Sequence, residues 1–188
     1  RLPGTSFLIR TLYGNAVGHP RKLFGISFKN PTGLAAGFDK NGKYINEMAE
    51  LGFGFIEIGS VTALPAQGNP KPRLFRLKSD SAIINRMGLN NDGANALRAR
   101  LEGRKASIPL FINIAKSPVA HLEGDAAIED YCRAVEQTKS LADVLVLNIS
   151  CPNSGDGRTF EAPEALTALL SRIRKIVPTG TIPMLVKV

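Results

Sequence analysis

Residues 148 to 153 read Asn-Ile-Ser-Cys-Pro-Asn, two amides around a hydroxyl and a thiol. Pro152 fixes the local backbone and removes a donor. The thiol of Cys151 has an intrinsic pKa of about 8.5 that surroundings can tune towards neutrality, so proton transfer competes with the common role of a lone cysteine as a small buried hydrophobe. A second segment, residues 33 to 42, reads Gly-Leu-Ala-Ala-Gly-Phe-Asp-Lys-Asn-Gly. Small residues at a strand end let a planar ligand reach the backbone, and Lys40 would meet an anion there; a tight turn with a solvated lysine has the same composition. A third, Asn85-Arg86-Met87-Gly88-Leu89-Asn90-Asn91, is rich in amides, which donate and accept at once and suit a ring with adjacent C=O and N–H groups, although Asn is also a turn former. His19 and His121 lie far apart, and neither pairs with Cys151 in the sequence as a covalent protease requires.

These residues need a scaffold that aims them at one place. From about residue 31 the chain alternates β-rich runs with amphipathic stretches, the pattern of βαβ units around a parallel sheet. Strands are expected over residues 32–36, 55–62, 110–115, 144–149 and 184–188. The intervening helices carry apolar residues at three- and four-residue spacing: Ile45, Met48 and Ala49; Leu97 and Leu101; Ile128, Tyr131, Cys132 and Val135; Leu166, Leu169, Leu170, Ile173 and Ile176. Cys132 is therefore expected to be packing. An eight-fold β/α barrel needs about 250 residues, so the expected fold class is α/β, an incomplete β/α (TIM) barrel of about five parallel strands. The connection over residues 63 to 92 is too long for a simple βα loop and is a candidate for function.

Composition narrows the function classes. Hydrophobic residues make up 44% and charged residues 21% of the 188, ordinary globular proportions. No apolar run approaches the roughly 18 residues of a membrane span, and no secretory signal is visible. Two cysteines make no disulfide framework, so a reducing, intracellular setting is expected. The net charge is +8, and residues 1 to 38 hold five bases, Arg1, Arg10, Arg21, Lys22 and Lys29, with no acid. That basic segment carries Phe7, Leu8, Ile9, Leu12 and Tyr13, which suits an anionic surface or a solvated helix end. Beyond it 19 bases mix with 16 acids, and only 6% of all residues are aromatic. A basic nucleic-acid-binding domain, the alternative from a different class, would concentrate its bases in a patch with exposed aromatics, so no nucleic-acid partner is expected.

Five segments in series, residues 29–42, 52–62, 68–77, 83–91 and 148–153, together resemble dihydroorotate dehydrogenase, the FMN enzyme of pyrimidine synthesis. Gly68-Asn69-Pro70-Lys71-Pro72-Arg73-Leu74-Phe75-Arg76-Leu77 and the Asn-Arg-Met-Gly loop look like the quinone-linked, membrane-associated class. The resemblance implies oxidation of dihydroorotate to orotate with electrons passed to a quinone; another FMN barrel acting on a reduced pyrimidine is the alternative within enzymes. It implies FMN contacts from Ala36, Gly37, Lys40, Ser60, Asn113, Asn148 and Lys187, with Lys187 near the N1 and O2 edge of the flavin. Lys40, Asn85, Arg86, Met87, Gly88, Leu89, Asn148 and Asn153 would hold orotate, and Cys151 would be the catalytic base. No metal is implied. Residues 1–22 are read as the tail of an N-terminal helical segment touching a bacterial or mitochondrial inner membrane from its surface, and residues 23–188 as the first five β/α units. Two departures stand out: Cys151 replaces the serine expected of the quinone-linked class, and Ile114-Ala115-Lys116-Ser117 replaces the expected Gly before and Asn after the lysine.

Overall fold

The computed structural model describes residues 5–13, 18–103, 106–150 and 160–188. Helix α1 (Thr5–Tyr13) precedes a small antiparallel hairpin of β1 (Arg21–Leu23) and β2 (Ile26–Phe28). The hairpin straddles the expected division at residue 22.

The β/α alternation then begins: β3 (Gly33–Leu34), α2 (Ile45–Glu50) and β4 (Phe55–Val61). Residues 63–92 hold a second antiparallel hairpin, β5 (Leu74–Leu77) with β6 (Ala82–Asn85). Next come α3 (Ala94–Leu101), β7 (Leu110–Ile114), α4 (Gly124–Thr138), β8 (Val144–Asn148), α5 (Pro163–Ile176) and β9 (Met184–Lys187). The large sheet is parallel, in the order β3-β4-β7-β8-β9, each strand beside its successor, which is the wall of an incomplete barrel.

All five expected parallel strands and all four helices between them are present. The first strand is shorter than residues 32–36, because Ala36 and Gly37 have turned toward the interior and hydrogen-bond to β4 instead. Both hairpins were unforeseen. Their strands have three or four residues each, too few for a period to register.

Two separate cores hold the layers. Between sheet and helices pack Ile56, Ile58, Ile112, Ile114, Leu145 and Leu147 against Leu97, Tyr131, Val135, Leu169 and Ile173. Cys132 belongs to this layer, as its place on the helix stripe requires, and burial raises its thiol pKa. The other face of the sheet forms a small cluster of Phe111, Val144 and Val146, plugged by Phe28 of the first hairpin. There Phe55 stacks on Phe111 with centroids 4.7 Å apart, and Phe28 meets both rings edge-on. Helix α5 shows why its segment is helical: Pro163 opens the first turn, Glu164 follows, and Arg174 and Lys175 close the last turn, each sign matching the helix dipole.

Candidate active site

Strand side chains alternate faces, so the residue two beyond an interior apolar one also faces the interior. On β4 Phe55 is followed by Glu57, on β7 Phe111 by Asn113, on β8 Val146 by Asn148, and on β9 Leu185 by Lys187. The apolar layer at the closed end of the barrel therefore gives way, one pleat toward the C-terminal ends of the strands, to a layer of carboxylate, two amides and ammonium.

Hydrogen bonds knit this layer together. Asn113 Nδ2 donates to Glu57 Oε1 at 2.6 Å, Lys187 Nζ approaches the same oxygen at 3.5 Å, and the Ala36 N–H donates to Glu57 Oε2 at 3.3 Å. Higher up, Asn148 Nδ2 donates to Ser60 Oγ at 3.1 Å, while Tyr131 Oη donates to the Asn148 carbonyl at 2.7 Å. The register of β4 and β7 shifts between Ile58 and Val61, around Gly59 at φ 112°. A side chain at Gly59 would run into the Asn113 carbonyl, so the bulge that lifts Ser60 to the rim requires glycine. Asn113 is fully buried, yet its Oδ1 has no hydrogen-bond partner among the described residues. At Gly37 (φ 109°) no atom lies within 4 Å of where a Cβ would stand, so the backbone there borders open space.

Lys40 stands on the loop after β3. Buried Asp39 accepts from the N–H groups of Lys43 and Tyr44 at 2.9 and 2.7 Å, fixing that loop at the start of α2. Burial first, then the neighbouring Arg73, hold the Lys40 ammonium below the usual lysine pKa. Two cations facing each other in a half-buried place favour an anion between or beside them.

Arg73 comes from the loop over residues 62–93. It donates to the carbonyls of Gln67 and Asn69, while the Asn69 side chain holds the Arg86 carbonyl at 2.8 Å. Arg86 spends its Nε and Nη2 on the Pro72 carbonyl, which makes it a clamp on this loop. Asn85 ends β6 opposite Leu74 and is exposed; Met87, Gly88 and Leu89 are half-buried beside it. The loop's base is tied by Asn91, which receives the Thr62 and Gly93 N–H groups on Oδ1 and donates to Thr62 Oγ1 and the Leu89 carbonyl.

Of the expected site residues, Ala36, Asn113 and Lys187 gather on Glu57, and Asn148 bonds to Ser60 beside them, its backbone in register with Lys187. Gly37 and Lys40 border this group from the following loop. Cys151 and Asn153 lie outside the described residues. Glu57 and Asn91 were missed, and a lone carboxylate in an otherwise apolar strand was the available signal for Glu57. Ser117, in the segment that departs from the expected pattern, accepts the Leu64 N–H on Oγ and donates the same hydroxyl to buried Asp130 at 2.8 Å. No group of three or more metal-ligating side chains occurs among the described residues.

A family model described as dihydroorotate dehydrogenase matches residues 20–188. A protein named dihydroorotate dehydrogenase (quinone) from Gloeobacter violaceus is 48% identical over 167 residues, covering 89% of this chain and 46% of that protein. One of the same name from Haloarcula marismortui is 47% identical over 166 residues, covering 88% and 46%. The chain thus spans about half the length of the curated relatives it matches. Among solved structures, DHODH from Eimeria tenella in complex with ferulenol superposes with a TM-score of 0.81 at 30% identity, covering 97% of this chain and 58% of that one.

Proposed function

This chain belongs to the dihydroorotate dehydrogenase family, and on that premise we propose that the enzyme it forms oxidises dihydroorotate to orotate with FMN as cofactor and a quinone as electron acceptor. The observation that carries the reading is the interior polar layer of Glu57, Asn113, Asn148 and Lys187, set at the open end of a five-stranded parallel sheet beside Lys40. Active sites of β/α barrels are built at that end.

The residues present fit a flavin. The buried Asn113 Oδ1 has no donor among the described residues, which the N–H edge of a flat heterocycle would supply, and the open space at Gly37 would admit a ring against the backbone. Ala36, Gly37, Lys40, Ser60, Asn113, Asn148 and Lys187 would hold FMN. When bound, FMN supplies the hydride acceptor. Lys187 would place a cation where negative charge develops during reduction. Lys40 would pair with the substrate carboxylate, and Asn85, Arg86, Met87, Gly88, Leu89, Asn148 and Asn153 would surround the pyrimidine ring. Cys151, as thiolate, would take the proton from C5 of dihydroorotate.

The named relatives support a quinone as acceptor. The exposed Phe7, Leu8, Leu12 and Tyr13 of α1 support contact of residues 1–22 with a membrane surface; no helix among the described residues is long and apolar enough to cross one. The test uses the full-length enzyme: it should carry a flavin spectrum that dihydroorotate bleaches under anaerobic conditions and a short-chain quinone restores. A colourless protein, or a flavin that dihydroorotate leaves oxidised, overturns the reading.

A further inference from the structure

Glu57 has no role in the proposed chemistry, yet it is the hub of the interior layer. Its residue is 9% exposed in the middle of β4, and a carboxylate so placed is costly unless its oxygens are satisfied. The satisfying groups come from three other parts of the sheet: the Ala36 N–H beyond β3, the Asn113 amide on β7 and the Lys187 ammonium on β9. Two consequences follow from the chemistry of an ionised carboxylate, which accepts only. Asn113 must turn its NH₂ toward Glu57, which leaves Oδ1 as the atom without a partner. Lys187 approaches that carboxylate at 3.5 Å and keeps 42% of its side chain exposed, against 11% for Glu57, so the pair joins a buried negative charge to a cation that remains accessible.

We infer that Glu57 is a positioning residue for the flavin: it fixes the amide of Asn113 with its acceptor toward the ring, and it tempers the positive charge that Lys187 presents there. This rests on the flavin reading above. A residue that served only to fill the barrel would affect stability and flavin retention alone. A counter-charge also sets the equilibrium between oxidised and reduced flavin, because reduction adds negative charge that Lys187 attracts and Glu57 repels.

The readout is the midpoint potential of FMN in the full-length enzyme, measured by redox titration. Glu57→Gln keeps the shape and removes the charge. It should favour reduced flavin at least tenfold, a rise of about 30 mV for a two-electron couple. Glu57→Asp keeps the charge and should shift the potential by less than half as much. Retention of FMN by Glu57→Gln at the unmutated potential overturns the inference. Should Glu57→Gln alone fail to fold, the comparison of Lys187→Gln with the double variant Glu57→Gln/Lys187→Gln decides. Lys187→Gln should lower the potential and the second substitution should raise it again, and equal potentials in the two overturn the inference. An unmutated enzyme that dihydroorotate bleaches separates this outcome from failure of the proposed function, whose failure would remove the inference with it.

Discussion

Lys40 carries two burdens: its ammonium is desolvated, and Arg73 faces it with like charge. Its pKa in the fold therefore lies below the 10.5 of an unperturbed lysine. The fold disfavours the proton, so the cost is fully present below the folded pKa and disappears as pH rises through it toward the unfolded one. Lys40→Met should accordingly raise the urea midpoint of the flavin-free, full-length protein at neutral pH, with the gain shrinking at alkaline pH, while orotate affinity falls. A neutral-pH midpoint below that of the unmutated protein would sink this account. Cys151 is the other residue whose substitution discriminates. If it is the base, Cys151→Ala should slow anaerobic flavin reduction by roughly 10²–10⁴-fold, and Cys151→Ser should retain part of the rate with a pH optimum moved upward, since a hydroxyl is the weaker acid. Stopped-flow bleaching against pH measures both, and an unchanged rate in Cys151→Ala would place the base elsewhere. Lys40 was visible in the sequence because it stood alone after small residues at a strand end. Glu57 stood out only as a lone carboxylate in an apolar strand; its role was not legible, because nothing in Phe-Ile-Glu-Ile announces partners 56 and 130 residues downstream.

At the scale of elements, the parallel strands and their helices were legible because each has a consistent apolar period and a partner of its own kind next in the chain. The hairpin of β5 and β6 was not, although Lys78-Ser79-Asp80-Ser81 between its strands is a turn composition. All eight of its strand residues are exposed, so no buried face imposed an alternation. What orients the loops above the sheet is likewise nonlocal. Asp130 on α4 is fully buried and accepts both the Ser117 N–H at 2.7 Å and its hydroxyl at 2.8 Å, and Ser117 in turn holds the Leu64 N–H that starts the long loop. The substitution of Ser for the expected Asn after Lys116 thus sits in a helix-to-loop latch. Asp130→Ala removes two hydrogen bonds to a charged acceptor and leaves their donors buried, a loss on the order of 3 kcal/mol. Chemical denaturation should read that loss, and orotate binding should weaken as the loop loosens; a change under about 0.5 kcal/mol, the range of surface substitutions, would show the latch to be idle.

At the scale of the whole molecule, the sheet has two edges. Among the described residues β3 pairs only with β4 and β9 only with β8, and Leu185 and Val186 on β9 are each 37% exposed. Unpaired parallel strands with apolar side chains invite association with other chains. A ring seated on Asn113 and Lys187 would be covered by the strands from β3 through β9 and wet beyond them. In β/α barrels the loops after strands seven and eight commonly hold a phosphate, and five strands supply neither. Residues 1–188 expressed by themselves should therefore self-associate and keep FMN well below one per chain, whereas a polypeptide of the relatives' full length should be yellow with stoichiometric flavin. The ratio of flavin to protein absorbance after gel filtration, with sedimentation for the mass, measures both. A monomeric 188-residue chain that holds one FMN would mean that Ala36, Ser60, Asn113, Asn148 and Lys187 bind the ring tightly enough without a phosphate loop. The affinity would then reside in the polar layer itself, and the barrel's remaining strands would matter for access and turnover more than for binding.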